Sequence, residues 1–140
     1  KFLADAGLGE IVPNQWEVTY INHVPQGALW RSPADWHQVL PGLLGGHTAK
    51  DGVRLESQAA DWHFEIEPHR GRLHASVKHG RTRAAEVLVF QLTARGPVGA
   101  EGCPTLDAGL ELGHRAIVRS FAEWTSPEAQ EHWRRRSECR

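Results

Sequence analysis

The sequence predicts an α+β fold, in which a mainly antiparallel, twisted sheet of four or five strands carries a long C-terminal helix across one face. The helix is predicted from Leu106–Trp124, where apolar residues recur every three or four positions. The strands are predicted from earlier segments in which apolar and polar residues alternate, or in which aromatic and β-branched residues are frequent. A helix of this length is marginally stable alone in water, so its apolar side needs the sheet as a surface to pack on.

The long helix has an apolar stripe, a start signal and an internal glycine. The stripe consists of Leu106, Leu110, Gly113, Ile117, Phe121 and Trp124. Thr105 is the predicted N-cap. A glycine inside a helix costs about 1 kcal/mol relative to alanine. We therefore predict that Gly113 permits close packing of the sheet or of an aromatic side chain such as Trp62; the alternative is that it leaves room for a ligand.

The clearest strands lie at the start and in the middle of the chain. Gln15 to Val24 is the first strand, with core candidates Trp16, Val18 and Tyr20. Asp61 to Glu67 alternates cleanly. Its inward residues are Trp62, Phe64 and Ile66, and its outward residues are His63, Glu65 and Glu67. After a turn at positions 69–71, a hairpin partner continues the core face with Leu73, Ala75 and Val77.

Two further segments are predicted strands of different strength. Val53 to Ala59 is weakly patterned. In Glu86 to Ala94 the run Val87 to Phe90 is apolar on both faces, which predicts a central position in the sheet, with one face against a second protein layer.

Two short helices are predicted at the periphery. Ser32 is the predicted N-cap of the first, which ends at Pro41. The second begins with a capping box of Thr125 and Glu128, runs to about Arg136 and is anchored by Trp133.

Composition predicts one soluble domain with no obvious charged partner. The 140 residues carry a formal net charge of -1, which gives no footprint for nucleic acid or an anionic membrane. No apolar run reaches the roughly 18 residues of a membrane span, and we expect a cytoplasmic location. The chain begins with Lys1 and contains no Met. We therefore expect the C-terminal part of a longer protein, with Lys1 to Gly7 ending a helix.

The sequence gives weak signals for metal or disulfide chemistry. Cys103 and Cys139 lie far apart, and we expect free thiols in preference to a disulfide. His63, His74 and His23 lie on the polar sides of predicted strands, and adjacent strands could bring His63 and His74 to one metal ion. Zinc needs three or four converging ligands. Nothing in the sequence enforces that convergence, so we expect no metal site and interpret these histidines as solvent-facing.

Catalytic and cofactor motifs are absent from the sequence. It contains no G-x-S-x-G, no GxGxxG and no phosphate-binding loop ending in GK[ST]. Glu65 and Glu67 are interpreted as part of a charged outer face. We therefore expect no catalytic residues and no cofactor.

Three segments together resemble a known family. They are PNQWEVTYINHV from Pro13, QLTARGP from Gln91 and LDAGLELGHRAIVRSFAEWTSPEAQEHW from Leu106. Their order and spacing resemble the C-terminal half of a sporadically distributed family of uncharacterised bacterial proteins. The resemblance covers nearly the whole chain and implies an upstream half with a strand and a helix. It implies a small residue where this chain has Trp16, and it leaves the function open, because the family has no established activity or catalytic residues.

We therefore expect a non-catalytic binding or self-association module, whose partner is a second copy or its own upstream half. The alternative is binding of a small apolar molecule in a cavity between the sheet and the long helix. The residues predicted to line that cavity are Trp16, Tyr20, Trp62, Phe64 and Phe90. An enzyme of unknown class is the third hypothesis.

Overall fold

The computed structural model describes residues 12–47 and 51–138, and confirms the α+β fold. Four strands alternate with short helical segments and are followed by two longer helices. The strands are β1 (Gln15–Pro25), β2 (Ala60–Ile66), β3 (Gly71–Arg81) and β4 (Glu86–Pro97). A 3-10 turn at Pro33–Asp35 leads into α1 (Trp36–Val39), and the C-terminal helices are α2 (Leu106–Trp124) and α3 (Pro127–Glu138).

The strands form one antiparallel sheet with the order β1-β4-β3-β2. The central position predicted for the apolar run Val87 to Phe90 is confirmed, since β4 lies between β1 and β3 and all four side chains are buried. The strand predicted at Val53 to Ala59 is wrong, because Val53 makes only an isolated bridge and the next residues are irregular. This segment has no continuous apolar side to bury, and Val53 itself is 73% exposed.

Helix α2 has the predicted bounds and the predicted N-cap. The Thr105 Oγ1 atom accepts a hydrogen bond from the Ala108 backbone N–H at 3.1 Å. The helix lies across one face of the sheet, and its buried residues are Gly109, Leu112, Gly113 and Ile117. Leu112 was missing from the predicted stripe, whereas Leu110 from that stripe is only half-buried. The side of α2 that faces the sheet is therefore rotated slightly from the side that the sequence pattern predicts.

The indole of Trp16 fills the space between sheet and helix. An added Cβ at Gly109 would lie 2.3 Å from Trp16 Cδ1, and one at Gly113 would lie 2.5 Å from Trp16 Cζ3. Gly71 and Gly96 approach the same ring from the sheet, where added Cβ atoms would lie within 2.9 Å of it. The close packing predicted at Gly113 is thus confirmed, with Trp16 as the aromatic side chain in place of the Trp62 given as an example.

The other end of the covered face is closed by α1 and its preceding loop. Trp36 is 0% exposed, and its ring lies 5.6 Å from that of Trp30 and 6.1 Å from that of His79. The Trp30 indole N–H donates to the Val24 carbonyl oxygen at 2.9 Å. Helix α1 ends at Val39, before Pro41, as predicted.

Helix α3 begins one residue later than its predicted capping box. Ser126 is the N-cap, since its Oγ atom accepts from the Ala129 N–H at 3.1 Å. The Thr125 hydroxyl instead donates to the Phe121 carbonyl oxygen at 2.6 Å and closes the end of α2. The predicted anchor Trp133 is half-buried, and its ring lies 5.3 Å from that of Phe121.

The connection between β2 and β3 sets the register of their hairpin. Its residues are Glu67–Arg70, and Glu67 and His69 have positive φ angles of 42° and 67°. Glu67 was predicted to end the strand; it starts the turn instead, because Pro68 has no backbone N–H to continue the strand pairing. Gly71 then pairs with Ile66 as the first residue of β3.

Three expectations concern residues or properties outside the sheet and its helices. The helix end expected at Lys1 to Gly7 and the thiol of Cys139 lie outside the described residues. Cys103 is buried and its thiol is free. Within the ranges that the structure describes, no helix combines the length and apolar character needed to cross a membrane.

Candidate functional site on the open face of the sheet

The face of the sheet opposite α2 carries the candidate functional residues. Trp16 and Ala94 lie under α2, so residues of opposite parity on the same strands point away from it. The other two described helices also lie on the covered side, where α1 meets His79 and α3 meets Phe121. We call the other side the open face. Its residues include Glu17, Thr19, Ile21, His23, Asp61, His63, Glu65, Arg72, His74, Ser76, Lys78, Val87, Val89, Gln91, Thr93 and Arg95.

Two histidines and an aspartate form a cluster on β2 and β3. His63 and His74 are direct cross-strand partners, and their rings stack with centroids 4.3 Å apart and planes 7° apart. Asp61 lies two residues before His63 and thus on the same face, with its Oδ2 atom 3.5 Å from His74 Nε2. One ligand atom from each residue lies within 4.8 Å of the other two. The sequence pattern indicates that the two histidines could be neighbours, but it did not predict that Asp61 would lie beside them.

The Nε2 atom of His74 lacks a hydrogen bond to any described residue. It is shielded from solvent and has no hydrogen-bond partner in the described part of the chain, although the Asp61 carboxylate is its nearest acidic group. The two observations agree, because a contact of 3.5 Å can be an electrostatic contact without the geometry of a hydrogen bond. The indole nitrogens of Trp16 and Trp36 are in the same state, but they lie in the packed core, whereas His74 Nε2 lies beside two other potential metal ligands.

Two arginines form a second feature at the end of the open face. Arg72 and Arg95 are direct cross-strand partners on β3 and β4. Neither is in an ion pair with any residue that the structure describes. They line an open pocket of about 860 Å³ together with Glu65, His69 and Glu101. Each arginine also has a carboxylate as its other cross-strand partner, since Glu65 lies opposite Arg72 and Glu17 lies opposite Arg95. The repulsion between the two like charges is therefore partly offset within the sheet.

Strand β1 is a third feature, because it forms an edge of the sheet. In the described part of the chain its eleven residues pair with β4 on one side only. Tyr20 and Ile21, at its centre, point to opposite faces and are 46% and 56% exposed. Large apolar side chains are thus accessible on both sides of an unpaired edge.

The five residues predicted to line an apolar cavity lie in different surroundings. Trp16 and Phe90 are 1% and 2% exposed in the packed core. Tyr20 is partly exposed and meets Phe121 edge-on, with ring centroids 5.6 Å apart. Trp62 and Phe64 are half-buried on β2.

A groove of about 310 Å³ runs between β2 and α2, and Phe64 is the one residue of the predicted five that lines it. Leu73, Leu112 and Ala116 supply other apolar parts of its wall. Binding of an apolar ligand stays a prediction.

A charged network lies at the other end of the β3–β4 hairpin. Glu86 accepts one hydrogen bond from Arg81 at 2.7 Å and contacts His79 Nε2 at 2.9 Å. The Arg81 hydrogen bond, with a further contribution from His79, holds the pKa of the Glu86 carboxyl below its usual value.

Comparison of the chain with protein-family models, with curated proteins and with solved structures finds no match. The resemblance to the C-terminal half of a bacterial family therefore stays a prediction.

Proposed function

We propose that this domain is a non-catalytic binding module that self-associates through the edge strand β1. The observation that carries the proposal is the exposure of Tyr20 and Ile21 at the centre of this strand. Natural proteins usually protect edge strands by short length, charge or bulges, since unpaired N–H and C=O groups pair readily with another chain. β1 is eleven residues long and presents apolar side chains where such protection is expected.

Side-chain complementarity along β1 favours a second copy as the partner, because a carboxylate can accept a hydrogen bond from an imidazole N–H. A two-fold axis at Tyr20 would pair β1 with itself in antiparallel orientation, as an isologous contact requires. Glu17 of one copy would then lie opposite His23 of the other, since the two residues are equally distant from Tyr20 in the sequence. Ile21 would lie opposite Thr19, and the two sheets would become one continuous sheet. Each copy would cover the other's exposed apolar side chains and unpaired edge.

Sedimentation velocity over a range of concentrations tests the association. The wild-type chain should form dimers as concentration rises, and Ile21→Lys should weaken the dimer by placing a charge at its centre. Val118→Lys is the matched control, because Val118 is 51% exposed on α2 and lies away from β1. A wild-type chain that stays monomeric, or equal weakening by both substitutions, would contradict the proposal.

A disulfide trap tests the register. Opposed residues in antiparallel strands have Cα atoms about 4.5–5.5 Å apart, a distance that a disulfide can span. In a chain with Cys139→Ser, Tyr20→Cys should therefore cross-link to a covalent dimer under mild oxidation. Val118→Cys in the same background should remain largely monomeric. Equal cross-linking at the two positions would show random collision instead of a specific register.

A second candidate function is binding of a small apolar molecule, and the groove between β2 and α2 favours it. Its volume of about 310 Å³ lies at the lower end of the range for ligand pockets. The fluorescent apolar probe ANS should bind the wild-type chain. Ala116→Phe, which would fill the groove, should reduce that binding. Ala122→Phe on the exposed side of α2 is the control, and equal binding by both variants would reject this groove as the site.

A further inference from the structure

We propose that Asp61, His63 and His74 form a binding site for a divalent transition-metal ion of the zinc type. The site lies on β2 and β3, whereas the proposed association uses β1 at the opposite edge of the sheet. The two proposals are therefore independent. The metal site follows from three properties of the cluster: the register that brings it together, the chemistry of its donors and the state of His74.

The register makes the cluster a fixed property of the fold. Direct cross-strand partners in an antiparallel pair have Cβ atoms about 4.5–5.5 Å apart. The pairing of His63 with His74 is continuous with six further pairs along the hairpin, from Ala60 with Val77 to Ile66 with Gly71. Asp61 joins the same side because strand residues two positions apart share a face. The backbone therefore holds all three donors without help from any loop.

The distances are already close to those of a metal site, but the rings must turn out of their stacked arrangement, because an imidazole binds a metal ion in the plane of its own ring. Zinc at about 2.0–2.1 Å from imidazole nitrogens places neighbouring ligand atoms about 3.3 Å apart in a tetrahedron. The three donors already lie within 4.8 Å of one another, and Asp61 Oδ2 lies 3.5 Å from His74 Nε2. Asp61 and His63 are exposed, so their side chains can rotate toward a common ion without disturbing the core. Two imidazoles and a carboxylate suit zinc and related transition metals better than magnesium or calcium.

The state of His74 is the third property that supports the site. Its Nε2 atom is covered and lacks a hydrogen-bond partner among the described residues, although the side chain as a whole is 42% exposed. A metal ion would use the lone pair of this nitrogen and remove the cost of its burial. Three protein ligands also leave a tetrahedral ion one open position. Water, or a donor group of a molecule docked on the open face, could occupy it.

Zinc titration by calorimetry tests the site on the full chain without a polyhistidine tag, after dialysis against a chelator. We expect saturable binding of one Zn²⁺ per chain. His63→Ala and His74→Ala should each weaken it by at least about tenfold, because loss of even a supporting group around a metal costs that much. Asp61→Asn should also weaken it. Circular dichroism of each metal-free variant should match that of the wild type, since none of the three residues belongs to the packed core.

His23→Ala is the matched control. His23 is exposed on the same open face but lies on β1, opposite Val89, and not beside the cluster. Scattered binding by surface histidines would be reduced as much by His23→Ala as by His74→Ala, and this result would overturn the proposal. Absence of saturable binding by the wild-type chain would overturn it as well. Cobalt absorption bands in the visible range that appear with the wild type and disappear with His74→Ala would support direct coordination.

Discussion

The two faces of the sheet are built from alternating residues of the same four strands, but different interactions dominate on each face. On the covered face Trp16 is 1% exposed, and its ring occupies space that side chains at four glycine positions would otherwise fill. The open face carries charged and polar side chains, including the cluster of Asp61, His63 and His74, beside the buried apolar residues Val87 and Val89 of β4. Close packing therefore dominates on the covered face, whereas polar and charged side chains are concentrated on the open face. Substitutions should be able to separate folding from binding.

The largest difference should appear within β1 itself. Trp16→Ala should lower the free energy of unfolding by about 3–5 kcal/mol, because it leaves a cavity between sheet and helix. His23→Ala, on the other face of the strand, should change it by no more than about 0.5 kcal/mol. Urea unfolding of the two variants measures both effects. Similar losses would show that the two faces do not differ as described.

A smaller effect is expected from the helix side of the Trp16 contact. Gly109→Ala should destabilise the protein by about 1–3 kcal/mol through overpacking, although alanine is the better helix former by about 1 kcal/mol. The added methyl group would lie 2.3 Å from Trp16 Cδ1. Gly45→Ala is the control, since its added methyl would meet nothing within 4 Å. A rise in the thermal midpoint of Gly109→Ala would contradict the packing account.

The charged network of Glu86 should add a modest, pH-dependent contribution. Because the pKa of Glu86 is lower in the folded protein than its ordinary value of 4.5, its carboxylate stabilises the fold above that pH. The contribution is lost as the pH falls through the folded-state pKa. The difference in unfolding free energy between wild type and Glu86→Gln should therefore be constant near neutral pH and shrink in acid. A difference that grows in acid would have the wrong sign.

The smallest effect is expected at the arginine pair of the open face. Arg72 lies between Arg95 and Glu65, its cross-strand partners on β4 and β2. Arg72→Gln removes one unfavourable and one favourable neighbour, so it should change the free energy of unfolding by no more than about 0.5 kcal/mol. Arg83→Gln in the exposed β3–β4 turn is the control. Chemical denaturation at low salt gives the best resolution, since salt screens such interactions. A much larger change with Arg72→Gln, but not with Arg83→Gln, would contradict this balance of neighbours.

Local sequence patterns predicted the architecture well. The bounds of α2 followed from its apolar spacing and from Thr105, and the central position of β4 followed from a run that is apolar on both faces. These signals are contained within one element. The weak pattern from Val53 to Ala59 was wrong as a strand, because it contains β-compatible residues without a side to bury.

Contacts between distant segments were harder to predict. Trp16 and Gly109 are far apart in the sequence, and no local pattern connects an indole to a glycine on a later helix. The metal-binding cluster had a usable signal, since a histidine on each side of a short turn predicts a cross-strand pair. Its third member required the exact register, which depends on where the turn begins after Ile66.

The most direct test of the account is two-dimensional ¹H–¹⁵N NMR of the wild-type chain over a range of protein concentrations. If the module associates through β1, the resonances of residues 17–23 should shift together as the protein is concentrated. Those around Val118, on the exposed side of α2, should stay constant. Shifts centred on α2, or none at concentrations where dimers form, would contradict the assignment of binding to the edge and open face of the sheet.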